Sequence, residues 1–579
     1  MPVNSPLTVV IQARDHWLHF SKPVRVIAAE TAEDVLPALR RVVAGVETEG
    51  LHAAGFIAYE AAPGFDRALI VRGPAPLPLL WFGLYRAPEV WEHLPAGGVY
   101  TLDEWRPSQQ IDGYRQAIDQ IKQAIARGDT YQVNYTIALH STWRGDPWSL
   151  FVDLAGSQRG GYAAYLDLGT HAICSASPEL FLDIDGDRVR SKPMKGTAPR
   201  GRTLDEDRQQ IAVLRASAKD QAENIMIVDM IRNDLGRVAR FGSVRVPSLL
   251  DVERYPTLLQ MTSTVEARSD ATLDAILAAL FPCASITGAP KVRTMQLIAG
   301  LEGGPRGVYT GAIGYLSPGR RAQLNVAIRT VVVDRAAGQA TYGVGSGIVW
   351  DSDADAEYEE CRLKAQVLAR RFPEFELLET MRWTAQAGVA RLERHLARLA
   401  GSAEYFGFAL DLAAVRARLN SLDVATLPDP ARLRLLVDRQ GQWRLELYPL
   451  VLPAAPEPVR LGLARQAVDA GDVFLYHKTT HRAVYEQARA GRLEYDDVLL
   501  WNQRGELTET TTANVVLSLG DRLVTPPVAS GLLAGALRAE LLDRGVVQEQ
   551  VLGVDDLARC QAIYLVNSLR GWREAVWGD

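Results

Sequence analysis

Residues 172–200 read AICSASPELFLDIDGDRVRSKPMKGTAPR, and this stretch decides how the front of the chain folds. Residues 172–177 and 180–184 read as strands, Asp185-Gly186 supplies a turn, and a further extended run reaches Thr197. That is a hairpin, and it predicts that Glu179 and Lys195 sit on its two arms, near enough to act together. A carboxyl group can serve as a general acid, and a partly desolvated lysine as a nucleophile. The same two residues also suit an exposed ion pair on a sheet edge, since many paired charges are structural.

Working outward, Ile118, Ile121 and Ile125 recur at helical spacing before Gly128, and a strand is predicted over 130–139. Residues 219–235 read as a helix that is apolar nearly all round through Ile225, Met226, Ile227, Val228, Met230 and Ile231. Such a helix is expected to be buried, with Gly236 as its cap. It nevertheless carries Glu223, which is costly to bury without a cation or partner. Extended runs at 311–316, 324–333 and 340–349 lead into an acidic helix over about 353–370, where Glu357 and Glu360 share a face. Carboxylates from two helices, with water and substrate oxygens, commonly hold magnesium. A solvated face paired with Lys364 explains the same residues.

Pro373 cannot continue a helix interior, so the main boundary is expected near residue 372. A new helix starts at about 392, and a loop over 453–458 is expected to separate two lobes of the rear part. The 579 residues are too many for one core. With 63 basic and 69 acidic side chains and no basic block, the chain offers nucleic acid no concentrated positive face. Cys174, Cys283, Cys361 and Cys560 form no CxxC pair, which fits a reducing cytoplasm better than a disulfide framework or zinc site. The start, Met1 to Asp15, has no signal-peptide pattern, and no run approaches the apolar length of a membrane span.

Five strings occur in order: Ser177-Pro178-Glu179, Pro193-Met194-Lys195-Gly196-Thr197, Ala222-Glu223-Asn224 through Arg237, Ser285-Ile286-Thr287-Gly288-Ala289-Pro290-Lys291, and Gly347-Ile348-Val349-Trp350-Asp351-Ser352. Together they resemble the chorismate-utilising enzymes, and within them the first component of aminodeoxychorismate synthase. The resemblance covers residues 1–371 and implies a large α+β fold, two sheets enclosing the active site. It implies that Lys195 adds to C2 of chorismate while Glu179 protonates the departing C4 hydroxyl, and that ammonia then attacks C4. Glu223 and Glu360 match magnesium ligands. Thr287, Tyr309, Arg329 and the Gly345-Ser346-Gly347 turn match substrate-binding positions. Anthranilate synthases typically carry alanine where this chain has Lys195. Where they have a histidine tied to pyruvate elimination, it has Gln260, which exchanges no proton near neutral pH. No glutaminase cysteine motif is found, so ammonia is expected from solution or from a separate glutamine amidotransferase subunit.

The rear part carries His477-Lys478-Thr479-Thr480-His481-Arg482, Leu507-Thr508-Glu509-Thr510-Thr511-Thr512-Ala513-Asn514 and Gly531-Leu532-Leu533-Ala534-Gly535-Ala536-Leu537-Arg538. A lone lysine among polar residues is ordinarily a surface lysine, and Gly535 is equally a simple turn. Backbone amides at a helix start, however, seat phosphate well. The ordered set resembles the class IV aminotransferases, aminodeoxychorismate lyases in particular, over residues 376–579. That implies two α/β lobes around pyridoxal phosphate, with Lys478 in the Schiff-base role and Glu509 opposite the pyridine nitrogen. Arg398, Ser568 and the amides of Ala536 and Leu537 match phosphate contacts, and Thr380 matches a position near the substrate. The usual N-terminal strands of that fold, with their Asp-Arg-Gly and Gly-Asp-Gly turns, are missing before Glu379. Relatives of this class are commonly dimers, which implies a homodimer through the rear part.

The expected whole is a synthase joined to a lyase that makes 4-aminobenzoate for folate. The alternatives are an anthranilate synthase-like front joined to a branched-chain or D-amino-acid transaminase, and a non-catalytic scaffold for a glutaminase subunit.

Overall fold

The computed structural model describes residues 6–13, 16–73, 77–158, 160–368, 372–422, 428–452 and 457–578. Met1 to Ser5, Asp15, Arg370, Arg371 and most of the expected loop at 453–458 lie outside them. The chain divides into two units, residues 1–200 with 211–372, and residues 201–210 with 373–579.

Among the described residues the first unit holds an 11-stranded and a 10-stranded sheet. Gln132–Gly145, Gln339–Ile348, Thr330–Asp334, His171–Ser177, Tyr162–Asp167 and Val9–Ala13 run side by side in the first; Met194–Pro199, Leu258–Arg268, Arg188–Lys192, Leu180–Asp185, Arg321–Val326 and Ala312–Ser317 in the second. These neighbours pair antiparallel. The α+β class follows from that, since parallel pairs would need helical crossovers.

The burial alternation of strands gives each sheet two apolar faces, and each is covered. Val9, Ile11, Ile173, Phe56, Trp81 and Ile313 pack the two sheets against each other. Ile118 and Ile121 of the helix Ile111–Ala126, with Phe151 and Leu154, cover the outer face of the first sheet. Val35, Leu39, Ile227 and Ile276 cover that of the second. Each such residue taken from water contributes about 1.5–3 kcal/mol, so the arrangement is helix, sheet, sheet, helix. Gly128, at φ 76°, ends the first of these helices.

Four expectations need correction. The helix Ala218–Gly236 is not buried all round, because Ile225 is 41% exposed and Asp229 faces solvent, only Asn224, Ile227, Val228, Ile231 and Leu235 being buried. Gly236 is its last helical residue and Arg237 the cap, in right-handed geometry. The run 324–333 is two strands, broken at Arg329, whose φ of 50° turns the chain between them. The acidic helix spans Ala354–Ala365 behind an Asp353 cap, then tightens into a 3₁₀ turn at Gln366–Leu368.

In the second unit, Leu377–Thr384, Ala431–Val437 and Trp443–Pro449 form most of a four-stranded sheet. The helices Leu392–Phe406 and Leu412–Asn420 pack on it through Leu396, Leu399, Val415 and Leu419. An eight-stranded sheet follows, mixing antiparallel pairs with parallel ones such as Val459–Leu463 on Asp497–Trp501. Among the described residues no helix is long and apolar enough to cross a membrane.

Candidate functional site

Two cavities gather the residues singled out from sequence. The first, of about 350 Å³, opens in the first unit and is lined from both sheets and two helices. The hairpin is real: Leu180–Asp185 pairs with Arg188–Lys192. Lys195, however, lies beyond that arm, on Met194–Pro199, which pairs with Leu258–Arg268. Glu179 and Lys195 still line the same cavity.

Glu179 is 3% exposed and accepts a 2.6 Å hydrogen bond from Ser285 Oγ. Burial pushes its carboxyl up to about 7, against the opposing pull of that hydroxyl and of Lys195. Three glycines on Gln339–Ile348 shape the space. A Cβ on Gly343 would lie 2.2 Å from the Tyr309 ring, and one on Gly347 2.3 Å from Gln132 Nε2 and 2.7 Å from Lys195 Nζ. Glycine there is what lets Lys195 reach in. Gln260 donates 2.8 Å to the Gly196 carbonyl and accepts from Thr197, so it braces the lysine's strand.

Arg329 is 8% exposed and makes no ion pair with a carboxylate among the described residues. Burial lowers its pKa, which shows how little around it compensates the charge. An anion entering the cavity would do so. Across from it stand Glu223, Glu357 and Glu360. Glu223 has no hydrogen-bond partner among the described residues, and burial raises its pKa. Glu360 keeps 37% of its side chain accessible, and Lys364 at 2.7 Å, with Lys195 and Lys219 near, holds its pKa below the usual value. Lys364 in turn donates 2.9 Å to the Gly345 carbonyl. The ion pair with Lys364 and the metal reading therefore coexist. Among the described residues no three His, Cys, Asp or Glu side chains group tightly enough to hold a metal alone. Glu223 and Glu360, both half-buried and the first without a hydrogen-bond partner among the described residues, fit magnesium if substrate and water complete its shell.

Tyr309, Arg329, Gly345 and Gly347 line the cavity; Thr287 and Ser346 do not. Thr287 is fully buried and its hydroxyl bonds the Cys283 and Ala284 carbonyls. Ser346 meets Tyr114 at 3.2 Å. For Ser346, alternation along the strand places its side chain on the face opposite Gly345 and Gly347.

The second cavity, of about 370 Å³, lies in the second unit. Lys478, Thr380, Glu509, Arg398, Ala536 and Ser568 line it; Leu537 does not, its side chain packing with Val516, Leu541 and Val547. Lys478 is no surface lysine. Burial, aided by Arg398, lowers its pKa to about 8. Glu509 is pushed up to about 7 by burial, while accepting from Tyr485 at 2.8 Å and from the Leu533 amide at 3.0 Å. Arg398 is gripped by Glu379 at 2.8 and 2.7 Å. His395 donates to that same Glu379 at 2.7 Å and meets Ser568 at 2.8 Å through its other nitrogen. A buried Glu379 thus aims two of the expected phosphate contacts at once.

Sequence reading missed Glu379, His395 and a ring of further arginines, Arg432, Arg434, Arg482 and Arg570. The period-2 spacing of Arg432 and Arg434 on one strand was the available signal. The buried Nε of Arg432 has no hydrogen-bond partner among the described residues. A cavity with this many guanidiniums, a lysine whose pKa is lowered to about 8 and a helix start at Ala536 fits a phosphorylated cofactor and an anionic substrate.

Known proteins agree with both halves. The family profile described as chorismate binding enzyme matches residues 92–370, and that of amino-transferase class IV matches 376–576. The chain is 47% identical to an aminodeoxychorismate synthase of Streptomyces griseus over 48% of this chain and 39% of that one. It is 42% identical to aminodeoxychorismate synthase component 1 of Escherichia coli, over 45% of this chain and 58% of that one. It thus spans between about two fifths and three fifths of the length of these curated relatives. It is 33% identical to anthranilate synthase component 1 of Methanothermobacter thermautotrophicus, over 55% of this chain and 73% of that one. Among solved structures, anthranilate synthase component I of Streptococcus pneumoniae superposes with a TM-score of 0.54 at 25% identity, over 64% of this chain and 94% of that one.

Proposed function

We propose a function on one premise: this chain belongs to the chorismate-binding enzyme family and carries a class IV amino-transferase domain behind it. The front, residues 1–371, converts chorismate and ammonia to 4-amino-4-deoxychorismate and water. The rear, residues 376–579, eliminates pyruvate from that product and leaves 4-aminobenzoate. The observation that carries this reading is the front cavity, where Lys195 and a Glu179 poised near 7 face the same space as the unpaired Arg329.

Lys195 Nζ, as the free amine, bonds to C2 of the ring. Both ring double bonds shift, C1=C2 to C1=C6 and C5=C6 to C4=C5, the C4–O bond breaks, and Glu179 gives its proton to the departing hydroxyl, which leaves as water. A carboxyl with the usual pKa would be almost wholly ionised at neutral pH and could not do this. Ammonia then bonds to C4, both double bonds return to C5=C6 and C1=C2, and the C2–N bond breaks to release Lys195 as neutral amine. Glu179 takes back the proton from the new ammonium. Arg329 suits the substrate carboxylate, because its fork bonds both oxygens. Glu223 and Glu360 would hold magnesium, which neutralises carboxylate charge where it binds.

In the rear, pyridoxal phosphate would supply an electron sink for chemistry at the amine-bearing carbon. Lys478 would hold it, with Glu509 as the carboxyl for its ring nitrogen and Arg398, Ser568 and the amide of Ala536 for its phosphate. With the cofactor bound, Lys478 Nζ would take the C4 proton of the substrate, and a pKa lowered to about 8 leaves a useful share of free amine. Arg432, Arg434, Arg482 and Arg570 suit the two carboxylates of the substrate. Loss of pyruvate leaves an aromatic ring, which drives the step. The component 1 relatives support a separate glutaminase partner for the front, and a cytoplasmic homodimer through the rear completes the reading. Purified chain given chorismate, magnesium, ammonium and pyridoxal phosphate should form 4-aminobenzoate; anthranilate instead would overturn the front assignment.

A further inference from the structure

Ten residues of the second unit come from far upstream. Residues 201–210 belong to it together with 373–579, although in sequence they follow directly on the strand that carries Lys195. The Gly201 amide donates 3.0 Å to Asp207, a carboxylate with no exposure, and a Cβ on Gly201 would lie 2.2 Å from the Asp207 nitrogen. The Gly201 carbonyl accepts a 2.6 Å bond from Tyr405. Arg202 forms a two-pronged pair with Glu206, donates 3.0 Å to the Tyr476 hydroxyl and 3.3 Å to the Ala529 carbonyl.

These contacts converge on the residue before Lys478. His477 is 6% exposed and its ring stacks on Tyr405 with centroids 4.3 Å apart. Its Nε2 lies 3.2 Å from the Arg202 carbonyl and its Nδ1 2.9 Å from Ser402 Oγ. A carbonyl only accepts, so Nε2 carries the hydrogen and Nδ1 can accept from the serine. On its other side the lysine's backbone is held by the strand Leu377–Thr384, the Leu378 amide donating 3.0 Å to the Lys478 carbonyl and Leu377 bridging Thr479.

We propose that residues 201–210 act as a clasp of the rear unit, and that His477, gripped by the Arg202 carbonyl, is a positioning residue that sets where Lys478 Nζ enters the cavity. The proposal rests on the reading of Lys478 as the cofactor-bearing lysine. It also accounts for a rear sequence that lacks the usual leading strands: part of its support is supplied from the front half of the chain.

The test uses the full-length chain loaded with pyridoxal phosphate, reading the visible band of the bound cofactor against pH and its dissociation constant. His477→Leu should shift the pH midpoint of the band and weaken cofactor binding by about three- to tenfold, the scale of one net hydrogen bond. His477→Gln, whose amide can still donate to the Arg202 carbonyl, should recover most of both. Tyr405→Phe removes one hydroxyl and should give a smaller shift in the same direction, which keeps the test informative if His477→Leu does not fold. Unchanged midpoint and affinity in His477→Leu, or in Tyr405→Phe where His477→Leu does not fold, would overturn the clasp. Absence of any visible band in the unsubstituted chain would instead sink the cofactor reading, and the clasp with it.

Discussion

The front cavity surrounds its lysine with carboxylates, Glu179, Glu223, Glu357 and Glu360, whereas the rear cavity surrounds its lysine with guanidiniums, Arg398, Arg432, Arg434, Arg482 and Arg570. In the front, the proposed reading needs a proton and a seat for a cation, which carboxylates suit, and Arg329 makes no ion pair with a carboxylate among the described residues. In the rear, the arginines suit anions, and burial and Arg398 bring Lys478 down to about 8. One residue type is fitted to two chemistries by what stands around it.

The comparison breaks most visibly if the lysines are exchangeable. Lys195→Ala should reduce amination to background while pyridoxal phosphate still binds, read by product formation and by the visible band. Normal amination would remove Lys195 from the chemistry. Next in size, Glu179→Gln should slow amination by about 10²–10⁴-fold, the usual worth of a positioned acid. Its pH dependence carries the sign: the protonated form is competent and its pKa is raised, so at constant free ammonia the unsubstituted rate should fall as pH rises through about 7. A rate flat across pH 6–8 under those conditions would contradict the role, and Glu179→Gln should itself be flat.

Why both lysines and many of their neighbours were found, while Glu379, His395 and four arginines of the rear cavity were not, is a matter of range. Lys195 and Lys478 sit in long local strings that sequence reading can place. Glu379, His395 and Ser568 meet from three separate elements, a strand, a helix and a strand end, and nothing local in 376–398 or 562–568 ties them together. The turn at Arg329 was invisible because an arginine at positive φ has no sequence signature. The apolar helix misled because Ile225 and Met226 suggested burial, whereas Ile225 faces outward. The front sheets, by contrast, were legible as strands and hairpins because alternation is local.

A finer contrast lies within one strand. Gly347→Ala would drive a Cβ against Gln132 Nε2 and Lys195 Nζ and should lower amination by up to about 10²-fold, as misplaced reacting atoms do. Ser346→Ala, one residue away on the opposite face, should cost about 1 kcal/mol of stability at most from the lost Tyr114 contact and leave the KM for chorismate unchanged. Equal effects on rate would mean that the strand is read on the wrong face. Smaller again in its consequence for maximal rate, Glu223→Gln and Glu360→Gln should each raise the magnesium needed for amination without altering the rear reaction. A magnesium titration unmoved in both would place the metal elsewhere.

The most direct test of a chain with two separate chemistries is the product made by Lys478→Ala from chorismate, magnesium and ammonium, followed by chromatography. The front nucleophile is intact, so 4-amino-4-deoxychorismate should accumulate with 4-aminobenzoate only at a residual rate, and added lyase should restore it. Unslowed 4-aminobenzoate formation by this variant, in protein cleared of other lyases, would contradict the account.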